Sequence, residues 1–177
     1  MILSYPNNAI NHMRKLILFT ISFLLFCSEN PTDSNTIIKS ERPIAPAFSL
    51  QSLTHGTQTL EQYKGEVVYL FFLGYNCPPC IGNAPSTQTE IYLNYNKMDV
   101  HVLGLDVWNG SFGQLANFQI QTNVSYPLLL NASSVGNEYT AYNDYSVVVD
   151  KQGKIAYKSG GVNISEIKSV MDILLSE

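Results

Sequence analysis

Along this chain of 177 residues the block of apolar positions that stands out is Val67-Val68-Tyr69-Leu70-Phe71-Phe72-Leu73, an unbroken run that predicts a buried strand. It feeds the turn Gly74-Tyr75-Asn76 and then Cys77-Pro78-Pro79-Cys80, which predicts a helix opening at Cys77. Proline suits a first helical turn, because the N–H groups it lacks have no helical partner there. Upstream, Phe48-Ser49-Leu50 and Thr57-Gln58-Thr59 flank Thr54-His55-Gly56 and predict a hairpin; Leu60 to Lys64 follows as a short helical turn closed by Gly65. Downstream, Ala84 to Lys97 has helical periodicity with Ile91, Leu93 and Tyr95 among its apolar positions, and Val100 to Asp106 alternates as a strand. Ser111 is placed to cap a helix from Phe112 to Thr122, Tyr126 to Leu130 reads as a short strand, and Ser133 or Ser134 would cap a helix to about Tyr142. Tyr145 to Asp150, a turn over Lys151-Gln152-Gly153 and Lys154 to Ser159 predict a second hairpin, and Ser165 would cap a last helix through Leu175. Strands alternating with helices and then a hairpin predict an α/β fold, a mixed central sheet with helices on both faces and an N-terminal β-hairpin.

Before this domain the pattern changes. Met13-Arg14-Lys15 precedes the mostly apolar stretch Leu16 to Phe26, a basic region and an apolar region too short to span a bilayer, which together predict an export signal starting at Met1 or Met13. Leu24-Leu25-Phe26-Cys27 resembles a bacterial lipobox with Phe26 in the place of a small residue. Cys27 therefore stands either as a lipidation site or as a cysteine of a cleaved or buried apolar region. Ser28 to Arg42 is polar with little to bury, and Arg42-Pro43-Ile44-Ala45-Pro46 stiffens the entry to the domain. The expected organisation is an export signal over 1–27, a polar tether over 28–46 and one domain over 47–177. Localisation is expected in the periplasm or cell envelope, on the membrane through the N-terminal anchor.

Composition narrows the chemistry. A formal charge of -4 with no basic cluster in the domain leaves no electrostatic footprint for nucleic acid. Three cysteines are too few for a disulfide framework, and with His12, His55 and His101 scattered they suggest no metal site and no cofactor. Ile81 directly after Cys80 excludes haem attachment of the Cys-x-x-Cys-His type. The remaining use of Cys77 and Cys80 is a dithiol at a helix N-terminus, where partial positive charge and unpaired N–H groups favour the thiolate.

The order of strand, Cys-x-Pro-Cys and helix, with Pro85 five residues after the second cysteine, resembles a thioredoxin-superfamily active site. The opening from Phe48-Ser49-Leu50 to Thr59-Leu60-Glu61-Gln62-Tyr63-Lys64-Gly65 resembles the TlpA/ResA-like reductases and the related alkyl hydroperoxide reductase and thiol-specific antioxidant branch. The resemblance implies a thioredoxin-like fold over 47–177 and thiol–disulfide exchange: Cys77 at the exposed edge of the helix attacks a disulfide, and Cys80, turned inward, resolves the mixed disulfide. Pro78, Pro79 and Pro85 support the motif; Tyr75, Asn76, Asp144 and Tyr145 are expected at the substrate groove. Partners would be protein or small-molecule disulfides and an electron donor.

Three positions depart from the family. Phe71 stands where thioredoxins keep a buried acid, and Asn83 where ResA-like proteins have a glutamate, so Cys80 lacks its usual proton acceptors. Asp144 stands where a cis-proline flanks the dithiol, and a trans peptide is expected because a non-proline cis bond costs about 2.5–4 kcal/mol. Its carboxylate is expected either near Cys77, opposing the thiolate, or facing outward from a loop. With Pro78 and Pro79 removing helix N–H groups, mainly that of Cys80 is left for the Cys77 sulfur, which points to a reductant rather than a strong oxidant. The alternatives are a thiol peroxidase, which would have to work with Gly74 three residues before Cys77 and no arginine beyond Arg42, and a non-catalytic tethered binding module.

Overall fold

The computed structural model describes residues 41–95 and 97–177; the export signal, Cys27 and the tether up to residue 40 lie outside them. A small antiparallel pair, β1 (Ser49–Gln51) and β2 (Thr57–Thr59), precedes a 3-10 turn over Glu61–Tyr63. The main sheet holds β3 (Val67–Leu73), β4 (Val100–Asp106), β5 (Leu128–Leu129), β6 (Tyr145–Val149) and β7 (Ile155–Gly160) in the order β5-β4-β3-β6-β7. β3, β4 and β5 run parallel and β6 and β7 antiparallel to their neighbours, which is the expected mixed sheet.

β3 is central, and every one of its residues is buried. Alternation along it sends Val67, Tyr69, Phe71 and Leu73 into one core and Val68, Leu70 and Phe72 into another. The first core is closed by α1 (Pro78–Ser86), α2 (Phe112–Thr122) and α4 (Ile164–Ser176), through side chains such as Ala84, Leu115, Phe118, Met171 and Leu174. The second is closed by α3 (Ser133–Tyr139) and by Ala45 and Phe48 of the entering chain. Each such leucine, phenylalanine or methionine contributes about 1.5–3 kcal/mol on burial. The strand that leads into the dithiol is therefore the best anchored element of the domain.

The entering chain joins the domain earlier than the polar pattern indicates. The Ile155 N–H donates to Pro43 O at 2.8 Å and the Ala45 N–H to Gly153 O at 2.9 Å. Arg42 Nη1 meets Asp150 Oδ2 at 3.0 Å and its Nη2 meets Glu177 Oε1 at 3.0 Å. The compact unit accordingly starts at Glu41.

Several boundaries differ from those expected, each for a local reason. The helix after the dithiol is continuous from Pro78 but passes through a π-helical stretch, Thr87–Tyr92, before a last α turn at Leu93–Tyr95. Pro85 inside α1 has no N–H to give, and the next turn re-registers, the Thr87 N–H being shared between Ala84 O and Asn83 O. Neither Ser133 nor Ser134 caps α3: the N-cap is Ala132, and the Ser133 N–H is taken by Asn109 Oδ1 at 3.0 Å. That helix stops at Tyr139, because Thr140 turns left-handed. α4 is capped by Asn163, not Ser165, its side chain accepting from the Glu166 N–H. Ser111 does cap α2, in a reciprocal capping box with Gln114.

Candidate active site

The dithiol sits where β3 ends, held by a turn with few degrees of freedom. Gly74 is buried with its α-carbon against Trp108; a β-carbon there would lie 2.4 Å from the indole ring. Trp108 in turn meets Tyr75 edge to face, with centroids 5.9 Å apart. Below this pair lies Asp106, fully buried at the end of β4. It accepts the N–H of Tyr75 at 3.3 Å, of Trp108 at 3.1 Å and of Gly110 at 2.6 Å. Burial pushes the Asp106 carboxyl above its ordinary range, and the three N–H donors oppose that shift without cancelling it. This one side chain ties the turn before Cys77 to the loop after β4.

Cys77 is the N-cap of α1, and Pro78 and Pro79 occupy its first two positions as expected. Cys77 and Cys80 are joined in a disulfide with their α-carbons 5.2 Å apart. The Cys77 sulfur accepts the Cys80 N–H at 3.3 Å, the donor that the proline pair leaves available. A second donor, which the sequence did not reveal, comes from the loop before β6: Asn143 Nδ2 lies 3.3 Å from the same sulfur. The expectation that Cys77 stands exposed at the helix edge is corrected, since only 1% of its surface is accessible and Asn143 leans over the sulfur. Cys80 is fully buried.

The three departures fall into place around this pair. Phe71 packs in the same core as both cysteines, so that face of the strand offers them no carboxylate. Asp144 follows a trans peptide, no cis bond being present among the described residues, and its φ of 57° is left-handed. It does not face outward: its Oδ1 accepts from Asn83 Nδ2 at 2.8 Å, and its carbonyl accepts the Gly161 N–H at 2.6 Å. Asn83 and Asp144, two separate losses in the sequence, are thus bonded to each other. Left-handed backbone is tolerated by Asp better than by most residues, because its short side chain can bond locally.

Of the other expected groove residues, Tyr75 is part-buried against Trp108 and Asn76 is exposed beside Cys77. Tyr145 is a correction: it pairs with Phe72 across the sheet, and strand alternation turns it to the second core, with Lys158 Nζ 5.8 Å from its ring. Asn143, Asp106 and Trp108 carried no motif. The one available signal was an acid, Asp106, closing a strand that is apolar from Val102 to Leu105. No group of three or more His, Cys, Asp or Glu side chains that could hold a metal is found among the described residues.

Two curated relatives are thiol-disulfide oxidoreductases ResA: one from Bacillus cereus is 27% identical over 124 residues, covering 69% of this chain and 70% of the relative. One from Geobacillus thermodenitrificans is 30% identical over 118 residues, covering 63% and 64%. Among solved structures, the thiol:disulfide interchange protein, a thioredoxin family protein, of Chlorobium tepidum TLS superposes with a TM-score of 0.66 at 18% identity. That match covers 77% of this chain and 98% of the other and establishes the fold. The sequence profile of the AhpC/TSA family matches residues 43–158, a span containing the hairpin, the dithiol, Asp106 and the Asn143–Asp144 loop. The chain belongs to the AhpC/TSA family, within the thioredoxin-like superfamily.

Proposed function

We propose that this thiol–disulfide oxidoreductase works through Cys77 as the attacking thiolate and Cys80 as the resolving thiol, as a reductant. The observation that carries the assignment is the pair of N–H donors on the Cys77 sulfur, from Cys80 and Asn143. Thiolate charge is favoured at that sulfur, while Cys80 lies one turn deeper with its own surface fully covered. The proline pair withholds further helix donors. That limits thiolate stabilisation and favours the oxidised pair, as a reductant requires.

The export pattern of residues 13–27 and the lipobox-like Cys27 support a membrane-tethered location on the outer side of a membrane. No helix of the described residues is long and apolar enough to cross a membrane. The substrates would be protein or small-molecule disulfides, supplied with electrons by a separate donor.

The peroxidase alternative has less support. The space that a hydroxyl side chain at position 74 would need is filled by the Trp108 ring, and Arg42 is engaged with Asp150 and Glu177. Reduction of insulin or of a model disulfide, measured beside peroxide consumption, tests the assignment. Disulfide reduction should exceed peroxide consumption and disappear in Cys77→Ser, while Cys80→Ser should accumulate mixed disulfides. Activity retained in Cys77→Ser overturns the assignment, and inactivity in both assays favours a binding module.

A further inference from the structure

We propose that the Asn143 carboxamide is a working part of the dithiol, the donor that stabilises the Cys77 thiolate and covers it between turnovers. This rests on the assignment of Cys77 as the attacking sulfur. At a helix N-terminus, thiolate charge is ordinarily met by backbone N–H groups of the first turn. Here two of those positions are prolines, and the Cys80 N–H at 3.3 Å is the backbone donor that remains. Asn143 Nδ2 approaches the same sulfur, also at 3.3 Å, from the loop before β6.

The amide is held there by its neighbours. Asp144, left-handed at φ 57°, turns the chain, and its carboxylate is fixed by Asn83 of α1 at 2.8 Å. Its carbonyl is fixed by the Gly161 N–H at 2.6 Å. Residue 143 is thereby braced between the helix that carries the dithiol and the end of β7. A thiolate accepts hydrogen bonds and donates none, so a carboxamide facing it must present nitrogen.

The chemistry balances without a new reactant. Reduction of the Cys77–Cys80 disulfide by an external dithiol delivers two electrons, leaving Cys77 as thiolate and Cys80 as thiol; one of the two dithiol protons stays on Cys80 and the other goes to solvent. The Cys77 thiolate then bonds to one sulfur of a substrate disulfide and expels the other as thiolate. Asn143 keeps its protons throughout; its hydrogen bond strengthens when the sulfur becomes anionic and weakens again when it is bonded.

Two effects of removing the amide oppose each other, and a merely structural change would not reproduce them. A less stabilised thiolate is scarcer at neutral pH but intrinsically more nucleophilic, with a Brønsted slope of about 0.4–0.5. In the full-length chain with Cys80→Ser, alkylation of Cys77 would be followed against pH by site-resolved mass spectrometry, which separates it from Cys27. Asn143→Ala should raise the Cys77 pKa by about one unit. Alkylation should slow about threefold below the pKa and quicken about threefold at the high-pH plateau. Asn143→Asp, of the same shape but with an acceptor and a charge in place of the donor, should raise the pKa at least as far. With Cys80 restored and the pH held above the raised pKa, the Asn143→Ala couple should become more reducing by about 30 mV, the equivalent of tenfold, and by less at lower pH. An unchanged pKa in Asn143→Ala, or rates that move the same way at both ends of the pH range, overturns the inference. A Cys80 thiol that reacts faster in Cys77→Ser than Cys77 does in Cys80→Ser overturns instead the assignment of the attacking sulfur, and the Asn143 series still reports on the contact.

Discussion

Asp106 shows how much of the site is set by one side chain that never meets a thiol. Its carboxylate gathers three backbone N–H groups from two loops, and an amide in its place would turn an NH2 toward one of those donors. Asp106→Asn should therefore cost about 1–3 kcal/mol, as expected for a buried donor left unpaired. The sign of its pH dependence follows from the upward shift. A folded-state value above the unfolded one gives stability that is full below the ordinary carboxylate range and is lost as pH rises through the raised value. The gap between wild type and Asp106→Asn in urea unfolding should be widest in acid and narrow toward neutral pH; a gap that widens instead contradicts the assignment. Gly74 is the second such residue. Gly74→Ala would press a methyl into the Trp108 ring and should cost about 1–3 kcal/mol, and part of the loss should return in Gly74→Ala with Trp108→Leu.

The elements divide according to what their sequence could announce. β3, β4 and α2 were legible because a single local pattern decides each: unbroken or alternating apolar runs for the strands, a serine N-cap at Ser111 for the helix. α3 was misjudged at both ends for the opposite reason. Its start is settled by Asn109, twenty-four residues away, and its stop by a threonine in left-handed backbone, neither of which leaves a trace in nearby residues. The π-helical stretch after α1 lies between these cases: Pro85 announces a disturbance but not whether the helix kinks, breaks or re-registers. Restoring the missing N–H tests that link. Pro85→Ala should let Thr87–Tyr92 relax toward α-helical bonding, read as a change in amide protection confined to that segment. Of the site, the dithiol and its prolines were legible from adjacency, whereas Asn143 depends on a loop sixty-six residues downstream folding back.

At the scale of the whole molecule, the described chain is fastened at the end of β6 opposite the dithiol by Arg42, Pro43 and Ala45. A chain starting at Glu41 keeps each of these contacts. One starting at Ala47 loses the Arg42 ion pairs to Asp150, which is 2% exposed, and to Glu177, two backbone hydrogen bonds, the Pro46 carbonyl that accepts the buried Tyr139 hydroxyl and a buried alanine, and should fall by about 2–4 kcal/mol in urea unfolding. Equal stability of the two would place the true edge of the domain later. The bond between Asn83 and Asp144 has a further consequence for anyone converting this protein into its relatives. Asn83→Glu, the change that would restore the acid of the ResA-like pattern, sets two carboxylates against each other where an amide and a carboxylate now meet. Engineered alone it should lower the melting temperature and loosen the loop over the dithiol, and only together with a neutral residue at 144 should it be tolerated. The two positions work as a lock and its key: exchanging either one by itself leaves a door that no longer shuts.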